Sequence, residues 1–294
     1  MSEDPFVAHR SLLFTVAYEL LGSVADAEDV VQETWLRWVG VDRAQVRDPR
    51  AYLVRAVTRQ GLNRLRTLSR RREDYVGEWL PEPLLTAPDV ADDVELAESV
   101  SMAMLTVLET LGPTERAVFV LREVFDVPYE QIADAVGKKS AAVRQIARRA
   151  RDHVAARRPR VSVGRAEQQR VVARFIAALN TGDLGELMAV LAPDVVAVAD
   201  GGGLAPAARR PVVGAERLVA ALRAGLSKVA GSMNGSLSGA PVWLNGAPGV
   251  RVDLDGVCAG AISVTVEDGR ITRLYSVWNP RKLVWLDAEA ALTR

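Results

Sequence analysis

The chain has 294 residues, 49% apolar and 25% charged, with 37 basic and 37 acidic side chains. That balance excludes a disordered chain and, at this length, suits two or three domains rather than one small core. The single Cys258 excludes an internal disulfide, and His9 and His153 alone make no zinc-ligand set, so no metal or cofactor is expected.

No run reaches the ~18 apolar residues of a spanning helix. The opening MSEDPFVAHR carries no apolar signal stretch, so a cytoplasmic protein with no membrane contact is expected. The zero net charge hides strong local blocks. Residues 19–36 hold five acids and no base, residues 55–72 hold seven arginines and no acid, and residues 138–160 hold nine Lys/Arg against Asp152. Such blocks make separate local fields.

In chain order, FVAHRSLLFTVAYELLG has helical apolar spacing and stops at Gly22. SVADAEDVVQETWLRWVG offers Ser23 as an N-cap, acids in its first turns and Gly40 as a stop. Its acids and amide Asp26, Glu28, Asp29, Gln32 and Glu33 offer acceptors to a basic partner, with Trp35 and Trp38 as apolar area beside them or as core. The next helix opens with the cap pair Asp48 and Pro49. Tyr52, Leu53, Ala56, Val57, Leu62 and Leu65 form its apolar positions, leaving Arg55, Arg59, Asn63, Arg66 and Arg70 mostly on other faces. Seven arginines without an acid repel one another unless an anion arrives, which suits nucleic acid.

An acidic linker follows, interrupted by Pro81, Pro83 and Pro88, yet it contains GEWLPEPLL. Trp79 and Leu80 are expected to bury apolar surface, and Pro81 and Pro83 to lower the ordering entropy by fixing φ. A stiff spacer is the other reading.

Residues 128–154, PYEQIADAVGKKSAAVRQIARRARDHV, are the sharpest local pattern. Tyr129, Ile132, Ala133 and Val136 give one short helix a buried face; Gly137 makes the turn, and Ser140 is expected to cap the next helix. There Val143, Ile146, Ala147 and Ala150 point inward, leaving Arg144, Gln145, Arg148, Arg149 and Arg151 outward. This is helix-turn-helix geometry, with Arg and Gln placed for base edges and phosphates.

From about residue 165 the composition changes. Helical segments give way to VVAVAD, another helix, and β-branched runs punctuated by NG, DG and EDG hairpin signals. Helices followed by a strand meander predict an α+β domain. It has no histidine, its candidate carboxylates are Asp194, Asp200, Asp253 and Asp255, of which Asp253 and Asp255 read as solvated loop acids, and Tyr275, Trp243 and Trp278 read as core or pocket wall. No enzyme is expected, and Cys258 reads as a small buried hydrophobe.

LETLGPTERAVFVLREVFDVPYEQIADAVGKKSAAVRQIARRAR resembles region 4 of extracytoplasmic-function sigma factors, of the sigma-70 family. SVADAEDVVQETWLRW resembles region 2.2, and DPRAYLVRAVTRQGLNRLRTLSRRRE resembles regions 2.3 and 2.4. The resemblance implies a multidomain chain. It comprises a region 2 helical bundle over 1–73, an acidic linker over 74–98, a region 4 helix-turn-helix domain over 99–158, and an α+β domain over 165–290.

For function, the resemblance implies binding to the β′ clamp helices and β flap of core RNA polymerase, and to promoter DNA. Asp26, Glu28, Asp29, Gln32, Glu33 and Trp35 are then polymerase contacts. Arg55, Arg59, Asn63, Arg66, Arg70 and Arg71 read the −10 element, and Ser140, Arg144, Gln145, Arg148 and Arg149 read the −35 element.

RVVARFIAALNTGDLGELMAVLAPDVVAVADGGG resembles the opening of SnoaL-like domains of the NTF2-like superfold, a cone of curved sheet and helices. WLPEP (79–83), DGGG (200–203) and NPRKL (279–283) resemble the signatures of sigma factors with such a fused domain. In that subgroup Lys commonly follows DGGG, where Leu204 stands here, and Asp commonly stands at the Arg281 position. The resemblance implies that the extension regulates the sigma core through Trp79, Leu80, Pro81, Glu82, Pro83, Asp200, Gly201, Gly202, Gly203, Asn279, Pro280, Lys282 and Leu283. A small ligand of the extension stays open. The alternative is a helix-turn-helix regulator with a ligand-sensing C-terminal domain.

Overall fold

The computed structural model describes residues 4–72, 74–158, 163–232 and 237–294, with the side chains of 69–72 and 225–232 outside the description. Helices α1 (Pro5–Leu21), α2 (Val24–Val39) and α3 (Pro49–Arg72) form an N-terminal bundle. Its boundaries follow local chemistry. Gly22 ends α1 in the left-handed conformation at φ 65°, Ser23 Oγ accepts the Asp26 N–H at 3.3 Å, and Asp48 accepts the Ala51 N–H at 3.0 Å. Leu13, Val16, Ala17, Leu20, Val31, Leu53 and Val57 fill the bundle core.

From residue 74 the chain runs along the C-terminal domain without a helix as far as a 3₁₀ turn at Pro88–Asp92, which leads into α4 (Val94–Ser99), so the end of the expected linker is helical. A small helical domain follows: α4, α5 (Met102–Leu108), α6 (Pro113–Phe119), α7 (Tyr129–Val136) and α8 (Ser140–Ala155). Gly137 makes the helix-turn-helix corner at φ 67°. Val143, Ile146, Ala147 and Ala150 of α8 are buried, as their spacing predicts. Ser140 departs from expectation. Lys139 stands at the N-cap without a side-chain bond, and Ser140 is the first helical residue, its hydroxyl donating to Glu130 Oε1 at 3.2 Å.

The C-terminal domain carries α9 (Arg165–Thr181), α10 (Leu184–Val190), α11 (Ala215–Ser232) and six strands. These are β1 (Leu191–Asp200), β2 (Val212–Val213), β3 (Leu237–Leu244), β4 (Ala247–Leu254), β5 (Val257–Glu267) and β6 (Arg270–Val277), ordered β2-β1-β6-β5-β4-β3. Strand β1 runs parallel to β6, and the other pairs are antiparallel. The three hairpins turn on Asn245-Gly246, Asp255-Gly256 and Asp268-Gly269, all at positive φ, as a two-residue primed turn requires.

One face of the sheet closes over the helices. Phe175, Ile176, Leu187, Leu218, Val250, Ile262, Val264 and Leu274 fill that interior, the layout expected of an NTF2-like cone. The other face meets the linker and α5 through Leu80, Met102, Leu244, Ala261, Tyr275, Val277, Leu283 and Leu286.

The end of the chain returns to the helical domains. Ala290 N–H donates to the Leu85 carbonyl at 2.8 Å, Leu292 joins the helical core, and Arg294 pairs with Asp93 and Glu95.

Candidate nucleic-acid interface and interdomain latch

Helix α8 presents Arg144, Gln145, Arg148 and Arg149 to solvent from a buried apolar back. Arg144 lies 3.8 Å from Glu130 and 5.9 Å from the Tyr129 ring centroid, which holds it over the start of α7. An exposed basic helix of this kind fits the major groove.

Helix α3 is less open than its arginine count suggests. Asn63 and Arg66 are exposed, and Arg55 sits 5.5 Å from the Tyr52 ring. Arg59, however, donates to the Asp134 carbonyl of α7 at 2.7 Å, and α3 packs along α7. Arg64, which the sequence reading passed over, donates to Asp26 of α2 at 2.6 Å and to Asp29 at 3.4 Å. Mutual repulsion among the arginines is thus met partly by internal acceptors. The side chains of Arg70 and Arg71 lie outside the described residues.

On α2, Asp29, Gln32 and Glu33 are exposed, whereas Asp26 turns to Arg64 and Glu28 pairs with Arg10 at 2.7 Å. Trp35 is half-buried, its ring 4.9 Å from that of Phe6. Trp38 offers no surface. It is core, with its indole N–H donating to Asp4 at 3.0 Å. Leu36 and Val39, 73% and 57% exposed, take its place as apolar area. Leu36 lies three and four residues after Glu33 and Gln32, on their face, and that spacing was the available signal.

The three short motifs meet at one place. Asp200, at the end of β1, is fully buried and accepts from Lys282 Nζ at 2.8 Å, the Leu80 N–H at 2.9 Å and the Tyr75 hydroxyl at 2.6 Å. Asn279 donates to the Tyr75 oxygen at 2.8 Å, and the Trp278 and Asn279 N–H groups donate to the Asp200 carbonyl. Lys282 also donates to the Leu80 carbonyl and lies 4.0 Å from the Trp79 ring centroid. Burial, then the hydrogen bond to Asp200, pushes the Tyr75 phenol well above its ordinary range.

Gly202 and Gly203 sit at φ 57° and 72°, and a Cβ on Gly202 would run into Asn279 and Tyr75. Gly201 is buried, Leu283 packs in the same cluster, and Pro280 is exposed at the start of a short 3₁₀ turn. Leu204 and Arg281, the two departures from the subgroup pattern, are both exposed, away from the buried Asp200–Lys282 pair.

The same linker grips the N-terminal bundle on its other side. Glu82 is buried, accepting from the Ser23 hydroxyl at 3.0 Å and the Val24 N–H at 2.7 Å, and burial raises its carboxyl. Its carbonyl accepts from the Tyr18 hydroxyl at 2.6 Å, and its N–H donates to the Gly22 carbonyl at 2.8 Å. Pro81 and Pro83 are buried beside it.

Asn245, in the β3–β4 turn, closes the arrangement. Its amide donates to the Tyr18 hydroxyl at 2.7 Å and the Val100 carbonyl at 2.9 Å, and its oxygen accepts the Leu84 N–H at 3.0 Å. Tyr18, Tyr75 and Asn245 were missed in the sequence, where Asn245 read only as a hairpin residue.

The other candidate carboxylates of the C-terminal domain lie apart from this cluster. Asp253 is bound to Arg251 at 2.8 Å, and Asp194 and Asp255 are exposed. Cys258 is half-buried against the outer sheet face rather than fully buried.

Family models for Sigma-70 region 2 and Sigma-70 region 4 match residues 6–71 and 101–154. The ECF RNA polymerase sigma factor SigJ of Mycobacterium tuberculosis is 39% identical over 297 residues, covering 96% of this chain and 93% of that protein. The chain belongs to the extracytoplasmic-function sigma factors. A second member, probable ECF RNA polymerase sigma factor SigI of the same organism, is 34% identical across 96% of this chain and 94% of its own length. The crystal structure of Mycobacterium tuberculosis SigJ superposes with a TM-score of 0.75 at 36% identity, covering 95% of this chain and 97% of that one. In this sigma factor, α1–α3 therefore correspond to the region 2 match and α5–α8 to the region 4 match.

Proposed function

We propose that this sigma factor directs core RNA polymerase to −10 and −35 promoter elements, and that its C-terminal domain controls when it does so. The exposed α2 face with Asp29, Gln32, Glu33 and Leu36 serves the polymerase. Helices α3 and α8 serve DNA. The C-terminal domain acts as a regulator rather than an enzyme, a reading supported by the apolar filling of its cone. Its place of action is the cytoplasm, with polymerase and chromosome.

The observation that carries the regulatory reading is the Asn245 amide, which bonds region 2, the linker and the start of region 4 at once. With Asp200 and Lys282 clasping Leu80, the C-terminal domain stabilises a compact form in which α3 packs on α7. In that form a −10-reading arginine, Arg59, is occupied by region 4. Promoter engagement along a duplex needs the two regions apart, and a few kcal/mol of differential contact sets how often they part.

The test is in vitro transcription with purified core polymerase, comparing the full chain, Lys282→Met and a truncation after residue 157. At limiting sigma factor, both altered forms give different output from the full chain, and Lys282→Met gives more. Equal output across all three would remove the regulatory reading and leave the sigma assignment intact.

A further inference from the structure

The chain contains two Asn-Gly dipeptides, Asn234-Gly235 and Asn245-Gly246. Asparagine before glycine loses its side-chain amide readily, because a following residue without Cβ leaves its peptide nitrogen unhindered for attack on the asparagine Cγ. The first pair lies outside the described residues. The second is the β3–β4 turn, where Asn245 has no exposed surface.

The backbone alone does not demand asparagine there, since the other two hairpins turn on Asp255-Gly256 and Asp268-Gly269. The surroundings do. Asn245 Nδ2 donates to the Tyr18 hydroxyl at 2.7 Å and the Val100 carbonyl at 2.9 Å, while Tyr18 gives its own proton to the Glu82 carbonyl. A carboxylate only accepts, so on that side it would face two oxygens without a donor. Gly246 is equally fixed, because a Cβ on it would lie 2.8 Å from Ala97 Cα of α4. Close packing thus retains a labile pair where a stable one does not fit.

In the compact form both reacting groups are held elsewhere. The Gly246 N–H donates to the Thr86 hydroxyl at 3.0 Å, and the Asn245 amide is bonded to α1, the linker and the end of α4. Ring closure needs that nitrogen to lose its proton and turn onto Cγ, so it waits for local opening.

We propose that Asn245-Gly246 is a hydrolytic timer: the closed latch keeps it intact, and in the opened protein it converts to aspartate or isoaspartate and prevents reclosure. The Gly246 nitrogen gives its proton to solvent and bonds to Asn245 Cγ, whose amide leaves as ammonia. Water then opens the cyclic imide at either carbonyl, so the net change adds water and releases ammonia. The aspartate product would bury a charge against the Val100 carbonyl and the Tyr18 oxygen. The isoaspartate product puts an extra carbon into the main chain of a tight turn. That the converted protein stays active rests on the regulatory reading above; the gated chemistry does not.

The experiment incubates the full chain, Lys282→Met and Trp79→Ala in warm, mildly alkaline buffer and follows each Asn-Gly by peptide mass mapping. Melting curves check that both variants fold. Conversion at Asn245, measured relative to Asn234 in the same chain, should be about tenfold or more faster in the variants than in the unaltered protein. Equal relative rates in all three folded proteins overturn the proposal. Asn245→Asp, or converted full chain separated by ion exchange should that variant fail to fold, should be cut by protease at the linker more readily than the unaltered protein. A converted chain that resists protease as well as the unaltered one also overturns the proposal. Gated conversion that leaves transcription by core polymerase unaltered upholds the chemistry and counts against the regulatory reading alone.

Discussion

Asp200 and Lys282 form an ion pair of 2.8 Å inside the protein, with side-chain exposures of 0% and 7%, and both partners reach out to the backbone of Leu80 in the linker. A buried pair contributes little compared with an apolar replacement, but removing one partner strands the other. Lys282→Met should therefore lower stability by about 3–5 kcal/mol. Lys282→Met combined with Asp200→Asn should recover part of that loss. Thermal unfolding of the single and double variants checks it; a double variant no better than Lys282→Met alone would show that the pair is not coupled.

Asn245→Ala removes three buried hydrogen bonds and places alanine at φ 54°. At ~1 kcal/mol per bond the loss is about 3 kcal/mol, with further cost from the left-handed backbone. The expected sign is specific: region 2 and region 4 should become separately accessible to protease at the linker while each domain keeps its fold. Limited proteolysis reads this directly, and an unchanged cleavage pattern would place the restraint elsewhere.

Much of this architecture was legible in the sequence because it is local. Gly22, Ser23, Asp48 and Gly137 set helix ends by their own backbone and capping preferences, and Asn-Gly and Asp-Gly pairs set the hairpins. The meeting of WLPEP, DGGG and NPRKL was legible as a resemblance, and the geometry shows its chemical reason in Asp200 accepting from Leu80 and Lys282. The contacts that left no local trace are long-range. Arg59 on Asp134, Arg64 on Asp26 and the return of Leu292 to the helical core join residues whose neighbours in sequence say nothing of the partner. Trp38 went to the core and Leu36 to the surface because the periodicity of α2, rather than side-chain size, decides which face is buried.

Glu19 should make the contact between α1 and α6 sensitive to pH. Its Oε1 accepts from the Ser99 hydroxyl at 2.8 Å, and Arg116 donates to the Glu19 carbonyl at 2.8 Å and to Glu109. Burial pushes the Glu19 carboxyl up to about 8, against the opposing pull of the Ser99 hydrogen bond and the Arg116 charge. Burial likewise pushes Arg116 down to about 9, and the phenol of Tyr18 is buried beside them. A raised carboxyl favours the compact form most fully below its ordinary 4.5, and that support is lost as pH rises through about 8. Between roughly pH 5 and 8, below the titration of Arg116, the open fraction should rise with pH and become flat in Glu19→Gln. Small-angle scattering across that range measures it, and an equal slope in Glu19→Gln would assign the effect to another group.

Trp79 packs its ring under Lys282 and close to Gly22, where an added Cβ would lie 3.0 Å from the indole. Trp79→Ala should loosen the linker on both sides, by about 1–3 kcal/mol for a half-buried aromatic side chain. Transcription by the full chain should change, whereas DNA binding by isolated region 4 should not. If transcription matches that of the unaltered chain, GEWLPEPLL is only a spacer.

Arg148 and Arg149 stand exposed on α8. Replacing either by alanine should weaken binding to promoter DNA and, for a phosphate contact, reduce the salt dependence by about one unit of slope. Binding measured across a salt series separates a phosphate contact from a base contact, since the latter instead relaxes preference at one position.

In the free protein the C-terminal domain should hold regions 2 and 4 together. Energy transfer between dyes on α3 and α8 of the full chain, with Cys258 replaced by serine, measures their separation before and after core polymerase and promoter DNA are added. The prediction is a short distance in the free protein, a long one in the promoter complex, and a shift toward the long distance in free Lys282→Met. A free protein already at the long distance, or a transcribing complex still at the short one, would contradict it.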